Sequence, residues 1–224
     1  MVNSTEAYRR SDLIPSHSFY PDYDNIFTRS YGNGSGNWHL KQPKLSDYNP
    51  DNPNQVQSQV LHEVRICELL RKQPHPNIAQ YHGCDVQDGR ITGLLFTKYD
   101  RTLMERANPS CLSKRMFAER RSGGLSAQET EWLVQVEQGL RHLHSLGIIH
   151  NDINPSNIVF EKDKAVINDF GSCCFHGADV KSIGRTYQWH DEEATTALPS
   201  NDLDALEEIQ LWLAGDLKNF KFDT

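Results

Sequence analysis

His150-Asn151-Asp152-Ile153-Asn154-Pro155-Ser156-Asn157, followed after one short hairpin by Asn168-Asp169-Phe170-Gly171, are the two stretches on which the reading of this chain turns. Between them, 158–160 and 165–167 are apolar and β-branched, and the charged run 161–164 is a turn, so the segment reads as two antiparallel strands. Such a hairpin returns its flanking residues to one end, bringing Asn157 beside Asp169. Asp152 lies five positions before Asn157. Two carboxylates and a carboxamide therefore converge. An oxygen-only set of this kind suits a hard cation that keeps several waters, which means Mg²⁺ bound with a phosphate ester. Taken singly, Asp152 and Asn157 read better as turn and cap residues and Asp169 as a strand-end Asx turn. The combination favours the metal.

Working outward, Ser126 and Glu129 form a capping box ahead of the apolar stripe Trp132, Leu133, Val136, Leu140 and Leu143, and Gly147 suits the helix end. This helix leads into Ile148-Ile149 and so pins the 150–157 loop. Val56, Val60, Val64 and Cys67 share one face of a helix over 55–71, which Pro74 and Pro76 stop. Residues 78–84 and 91–97 read as a hairpin about Gln87-Asp88-Gly89. Trp38 to Lys41 reads as a short strand leaving a glycine-rich turn at 32–36, and Asn25 to Thr28 has weak strand character. A short helix is expected at 103–107. The basic stretch 114–121 reads as a solvated helix face, and a last helix at 203–213 places Leu203, Leu206, Ile209 and Leu213 in register.

Composition narrows the function classes. The chain has 224 residues, 37% of them hydrophobic, with four Trp, eight Tyr and nine Phe, enough for a packed core. Thirty acidic against 23 basic residues give a net charge of −7, which argues against nucleic acid or an anionic membrane as partner. No apolar run is long enough to span a bilayer, and 1–15 lack a secretory signal, so an intracellular, cytoplasmic setting is expected. The five cysteines form no C-x-x-C pair and read as reduced, mostly buried thiols. His142 and His144 face different sides of their helix, which argues against zinc.

The two opening stretches resemble the protein-kinase family. Residues 150–157 match its catalytic loop, H-R-D-x-x-x-x-N, at His, Asp and Asn, and 169–171 match D-F-G. The resemblance extends over about 25–215 and implies an α+β, two-lobed fold with a reduced β-rich N-lobe and a C-terminally truncated helical C-lobe. Residues 1–20 are expected to be a weakly structured tail and 21–224 the kinase-like domain, with the N-lobe at about 21–97, the hinge at 97–100 and the C-lobe beyond. The resemblance implies ATP and Mg²⁺ as cofactors and a protein substrate. By the same resemblance Asp169 and Asn157 hold metal, Asp152 is the base for a Ser or Thr hydroxyl, Lys41 binds the α/β-phosphates, and Glu63 pairs with Lys41. Lys44 is the competing lysine, but Trp38 and Leu40 give Lys41 the alternating strand context. Phe96, Thr97 and Tyr99 resemble the gatekeeper and hinge that receive adenine, and Asp202 the buried aspartate that anchors the catalytic loop.

Four departures weigh against full activity. The glycines at 32, 34 and 36 stand too close to Lys41 to cradle phosphates. Asn151 replaces the arginine that commonly pairs with a phosphorylated activation loop, so activity is expected not to be switched in the usual way; Ser182, Thr186, Thr195 and Thr196, after Asp169, are candidate phosphosites of a kind any exposed loop contains. Asn154 replaces a lysine near the γ-phosphate, a loss worth a few kcal/mol. No A-P-E triplet precedes Asp202, and the chain stops soon after that helix. The retained carboxylates, Asn157, Lys41 and Glu63 favour a serine/threonine kinase; the departures favour a nucleotide- or protein-binding pseudokinase module, and a small-molecule kinase is a third class.

Overall fold

A computed structural model of the chain describes residues 14–31 and 36–222. The expected glycine turn lies mostly outside the described residues. Beyond that turn runs β1 (Trp38–Lys41), the edge of a three-stranded antiparallel sheet completed by β2 (Tyr81–Gln87) and β3 (Arg90–Thr97) in the order β1-β3-β2. Lys41 lies opposite Leu94, one residue from Gly93. A Cβ at Gly93 would come 2.7 Å from the Lys41 carbonyl oxygen, so only glycine lets β3 approach the end of β1 this closely. Helix α1 (Gln55–Lys72) packs on the sheet through Val60, Val64 and Cys67 of the expected apolar face, with Leu70 continuing it and Val56 buried at its start.

Strand β2 begins later than its sequence suggests. Residues 77–79 leave the sheet and pair across the molecule with β6: the Ala79 amide donates to the Ile167 carbonyl at 2.8 Å, and the Ile167 amide to Asn77 at 2.9 Å. Asn25 to Thr28 forms no strand either. Glu68 accepts from the Thr28 amide at 2.6 Å and hydroxyl at 3.0 Å, and Arg29 makes a lone bridge to Cys84. In the segment read as a tail, residues 14–20 carry a 3-10 turn, Ser16–Ser18, and a buried Phe19 that stacks on Tyr48.

The second lobe is mainly helical. α2 (Leu103–Ala107) and α3 (Lys114–Arg120) lead to α4 (Ala127–Ser145), which opens on the Ser126/Glu129 capping box. Then come β4 (Ile148–Ile149), the hairpin β5 (Ile158–Glu161) and β6 (Lys164–Ile167), β7 (Cys174–Phe175) paired with β4, and α5 (Pro199–Ala214). One apolar cluster runs through both lobes, from Val64 and Phe96 to Phe170, Leu140 and Trp212. The five cysteines are free, and only Cys111 is exposed. No helix of the described residues is long and apolar enough to cross a membrane.

Two expectations about the helices are corrected. The 114–121 stretch is solvated on one face only: Arg115, Glu119 and Arg120 are exposed, but Phe117 and Ala118 are buried, and so is Lys114, received by Glu208 and two aromatic rings. Leu203 is 39% exposed, since Asp202 takes the inward position and rotates its neighbour outward.

Gly139 marks the closest approach of α4 to its surroundings. A Cβ there would stand 2.9 Å from both the Asn77 carbonyl oxygen and the Ile167 side chain. Gly139→Ala is therefore expected to lose stability by about 1–3 kcal/mol, although alanine alone favours a helix by up to about 1 kcal/mol. Urea unfolding checks this; a stabilised variant contradicts the packing.

Candidate active site

The loop 150–157 is held from below. The Asp202 carboxylate, fully buried at the start of α5, accepts the His150 amide at 2.9 Å, the Asn151 amide at 2.7 Å and His144 Nε2 at 2.8 Å. Asn151 sits in the left-handed region (φ 63°), a conformation asparagine tolerates better than most residues. Its buried amide donates to the Ile149 and Ser172 carbonyls, and its Oδ1 accepts from Asn201. Asn151 is thus a fixed strut joining the loop, the segment after Phe170 and the start of α5.

With the backbone fixed, the polar side chains form two groups, linked through the backbone where the Asn168 amide donates to the Asn157 carbonyl at 2.9 Å. Asn157 Nδ2 donates to the Asp152 carboxylate and to the Asp152 carbonyl, both at 2.9 Å. Lys41 Nζ donates to Glu63 Oε1 and to Asp169 Oδ1, each at 2.7 Å. Lys41 rather than Lys44 therefore joins α1 to the 169–171 segment. The Gly171 amide also reaches Asp169 Oδ1, at 3.3 Å. Phe96 is buried against Phe170 and Tyr81. Thr97 and Tyr99 border a cavity of about 240 Å³ together with His39, Ser156 and Asn168. Their side chains bond backward, however: Thr97 Oγ1 meets His82 at 2.8 Å, and the Tyr99 hydroxyl accepts the Gln80 amide at 3.1 Å. A ligand in that cavity would meet mainly backbone at these two positions.

The donor set fits a hard cation. The Asn157 amide nitrogen is committed to Asp152, and among the described residues no hydrogen bond reaches its Oδ1 or Asp169 Oδ2. Two oxygens are left to face a ligand. Among the described residues no three His, Cys, Asp or Glu side chains cluster as a metal site, so such a cation would complete its shell with phosphate and water.

Charge reinforces the arrangement. Burial pulls the Lys41 ammonium pKa down, but Glu63 and Asp169 outweigh it and the net shift is upward. Burial pushes the Asp169 carboxyl up, yet the Lys41 charge and hydrogen bond carry it below the ordinary value. Glu63 is raised, burial prevailing over the attraction of Lys41.

Thr186 is a neighbour that spacing did not single out. Its amide donates to Asp152 Oδ1 at 2.7 Å, and its hydroxyl accepts from Asn154 Nδ2 at 3.0 Å. Asn154 is buried, and its Oδ1 also accepts the Ser156 amide at 2.9 Å. The sequence signal was only a threonine in the segment after Asp169.

A model of the protein kinase domain matches residues 40–210. The chain belongs to the protein kinase domain family. Among curated relatives it is 26% identical over 182 residues to the serine/threonine-protein kinase TAO2 of Rattus norvegicus, covering 77% of this chain and 13% of that protein. It is 32% identical over 105 residues to human serine/threonine-protein kinase Nek5, covering 46% of this chain and 14% of that one. It is 29% identical over 133 residues to MAP kinase kinase kinase win1 of Schizosaccharomyces pombe, covering 58% and 8%. The chain thus spans a small part of the length of the relatives it matches. Its fold is the two-lobed α+β kinase fold, with a three-stranded sheet among the described residues.

The shifts set a pH dependence. Stability from the lowered Asp169 is complete above its unfolded pKa of about 4 and is lost as pH falls through the native value; that from the raised Lys41 is complete below about 10.4 and is lost as pH rises through its native value. Urea unfolding of the wild type and Asp169→Asn is expected to give a difference that shrinks as pH falls below about 4. A difference that persists unchanged at lower pH contradicts the pair.

Proposed function

We propose that this kinase domain transfers the γ-phosphoryl group of ATP to serine or threonine hydroxyls of a protein. The observation that supports this reading is the Lys41–Glu63 and Lys41–Asp169 pairing, which sets a cation against a carboxylate one residue after Asn168, whose amide donates to the Asn157 carbonyl. Phosphoryl transfer asks for positioning and charge neutralisation more than for covalent chemistry. Asp169 and Asn157 would hold Mg²⁺, and the bound metal supplies neutralisation of the phosphate charge. Lys41 binds the α/β-phosphates, and Glu63 keeps its ammonium in place. Asp152, oriented by the Asn157 amide, accepts the hydroxyl proton. Phe96 closes the back of the adenine cavity, which the backbone of Thr97 and Tyr99 borders. The serine/threonine kinase names of the relatives support the choice of acceptor.

A second reading, a nucleotide-binding module with little catalysis, draws on two observations. Asp152 already receives the Thr186 amide, and the position of the usual lysine is a buried asparagine, Asn154. Both leave the base less able to engage an acceptor.

Labelled ATP with Mg²⁺ separates the readings. Transfer to a mixed Ser/Thr peptide pool is expected in the wild type, reduced about 100-fold or more in Asp152→Asn and Asp169→Asn. Equal transfer in all three proteins contradicts the roles. Magnesium-dependent thermal stabilisation by ATP without any transfer favours the module, and at a hundredfold excess over Kd that stabilisation is about 2.7 kcal/mol.

A further inference from the structure

Lys114 is the most fully buried cation of the described lysines, its side chain 3% exposed, and nothing in the proposed chemistry uses it. It stands at the start of α3 and forms an ion pair with Glu208 of α5, whose side chain is fully buried. A second N–H goes to the Gln188 carbonyl, to which Nζ donates at 2.8 Å. Its charge lies over the rings of Phe220, at 4.5 Å, and Trp189, at 5.0 Å. Glu208 is completed by the Lys221 amide at 2.7 Å.

Such a pair is a poor device for stability alone, because two well-packed apolar residues commonly serve as well or better. What an apolar pair cannot do is donate to a carbonyl. Gln188 sits in the left-handed region (φ 67°) and belongs to a tight turn, closed by the Trp189 amide donating to the Thr186 carbonyl at 3.1 Å. His190 Nδ1 meets the same carbonyl at 2.8 Å. At its far side Trp189 is buried edge-on against Trp212, at 5.6 Å. At its near side Thr186 meets Asp152 and Asn154. Thr186 and Tyr187 face solvent, the latter 60% exposed.

We propose that Lys114 is a positioning residue, fixing through the Gln188 carbonyl the turn 186–189 as an acceptor platform against Asp152. This rests on the kinase reading and extends it: the segment that meets the acceptor is anchored from α3 and α5, in a chain with no A-P-E triplet ahead of α5. Lys114 touches neither nucleotide nor acceptor, so its loss acts on the acceptor side only.

The test is the double variant Lys114→Met/Glu208→Leu in the full chain, which removes both charges together and avoids stranding one. Expected are an unchanged Mg²⁺–ATP thermal shift, a KM for ATP within about twofold, and a kcat/KM for the Ser/Thr peptide pool at least about tenfold lower. Hydrogen exchange of amides 187–190 should quicken by about tenfold or more while α4 keeps its protection. Wild-type exchange and peptide kinetics in the variant overturn the proposal. If the wild type transfers no phosphate, the kinase reading fails, and exchange at 187–190 alone decides whether Lys114 holds the turn. Should the double variant not fold, Lys114→Gln/Glu208→Gln keeps a polar pair with a side chain too short for Gln188, and the same readouts apply.

Discussion

A buried carboxylate organises this molecule. Asp202 is fully shielded from water, and a charge so placed is tolerated only if strong donors surround it. It has three: the amides of His150 and Asn151, and the His144 ring. Those amides belong to the loop that carries Asp152 and Asn157, so the requirement that Asp202 be satisfied is also what shapes the loop. Asn151 accepts a left-handed backbone as part of the same arrangement, and its side chain extends the network to Ser172 and Asn201. Replacing Asp202 by an apolar residue would orphan the two amides together.

From this base the structure reaches the other lobe by two routes of different character. One is apolar: His150 meets Phe170 edge-on at 6.0 Å, and Phe170 meets Phe96 at 6.4 Å. The other is ionic, from Asp169 through Lys41 to Glu63. The residues of both routes alternate along 169–170, so a shift of one residue in that segment would disturb ring contacts and ion pair at once. The left-handed backbone at Asp169 (φ 63°) aims these two side chains in their different directions.

Much of this was legible in the residues alone, where local patterning and tertiary demand agree. The spacing of Val56, Val60 and Val64 put Glu63 on the same helix with a defined face, and strand alternation through Trp38 and Leu40 distinguished Lys41 from Lys44. The box at Ser126 and Glu129 marked the start of α4 to the residue. Legibility failed where a residue answers to a distant partner. Ile78 looks like strand, but Asn77 and Ala79 bond to Ile167. Lys114 reads as solvent-facing until Glu208, far along the chain, is brought beneath it. Leu203 fits the apolar period, yet the inward place goes to Asp202, whose reason to be there lies in the amides of His150 and Asn151. Thr186 carries no pattern at all, since its role depends on a turn that only the folded loop defines.

The pairing of 77–79 with β6 has a mechanical consequence. The lobes are joined covalently where the chain passes from β3 to α2, and joined again, by the Ala79, Ile167 and Asn77 hydrogen bonds, along the rear. Two attachments on one side define an axis, as the spine does for a book's covers. Any opening of the cleft is then constrained to turn about that line, and it would part Lys41 from Asp169, which a 2.7 Å ion pair now holds together.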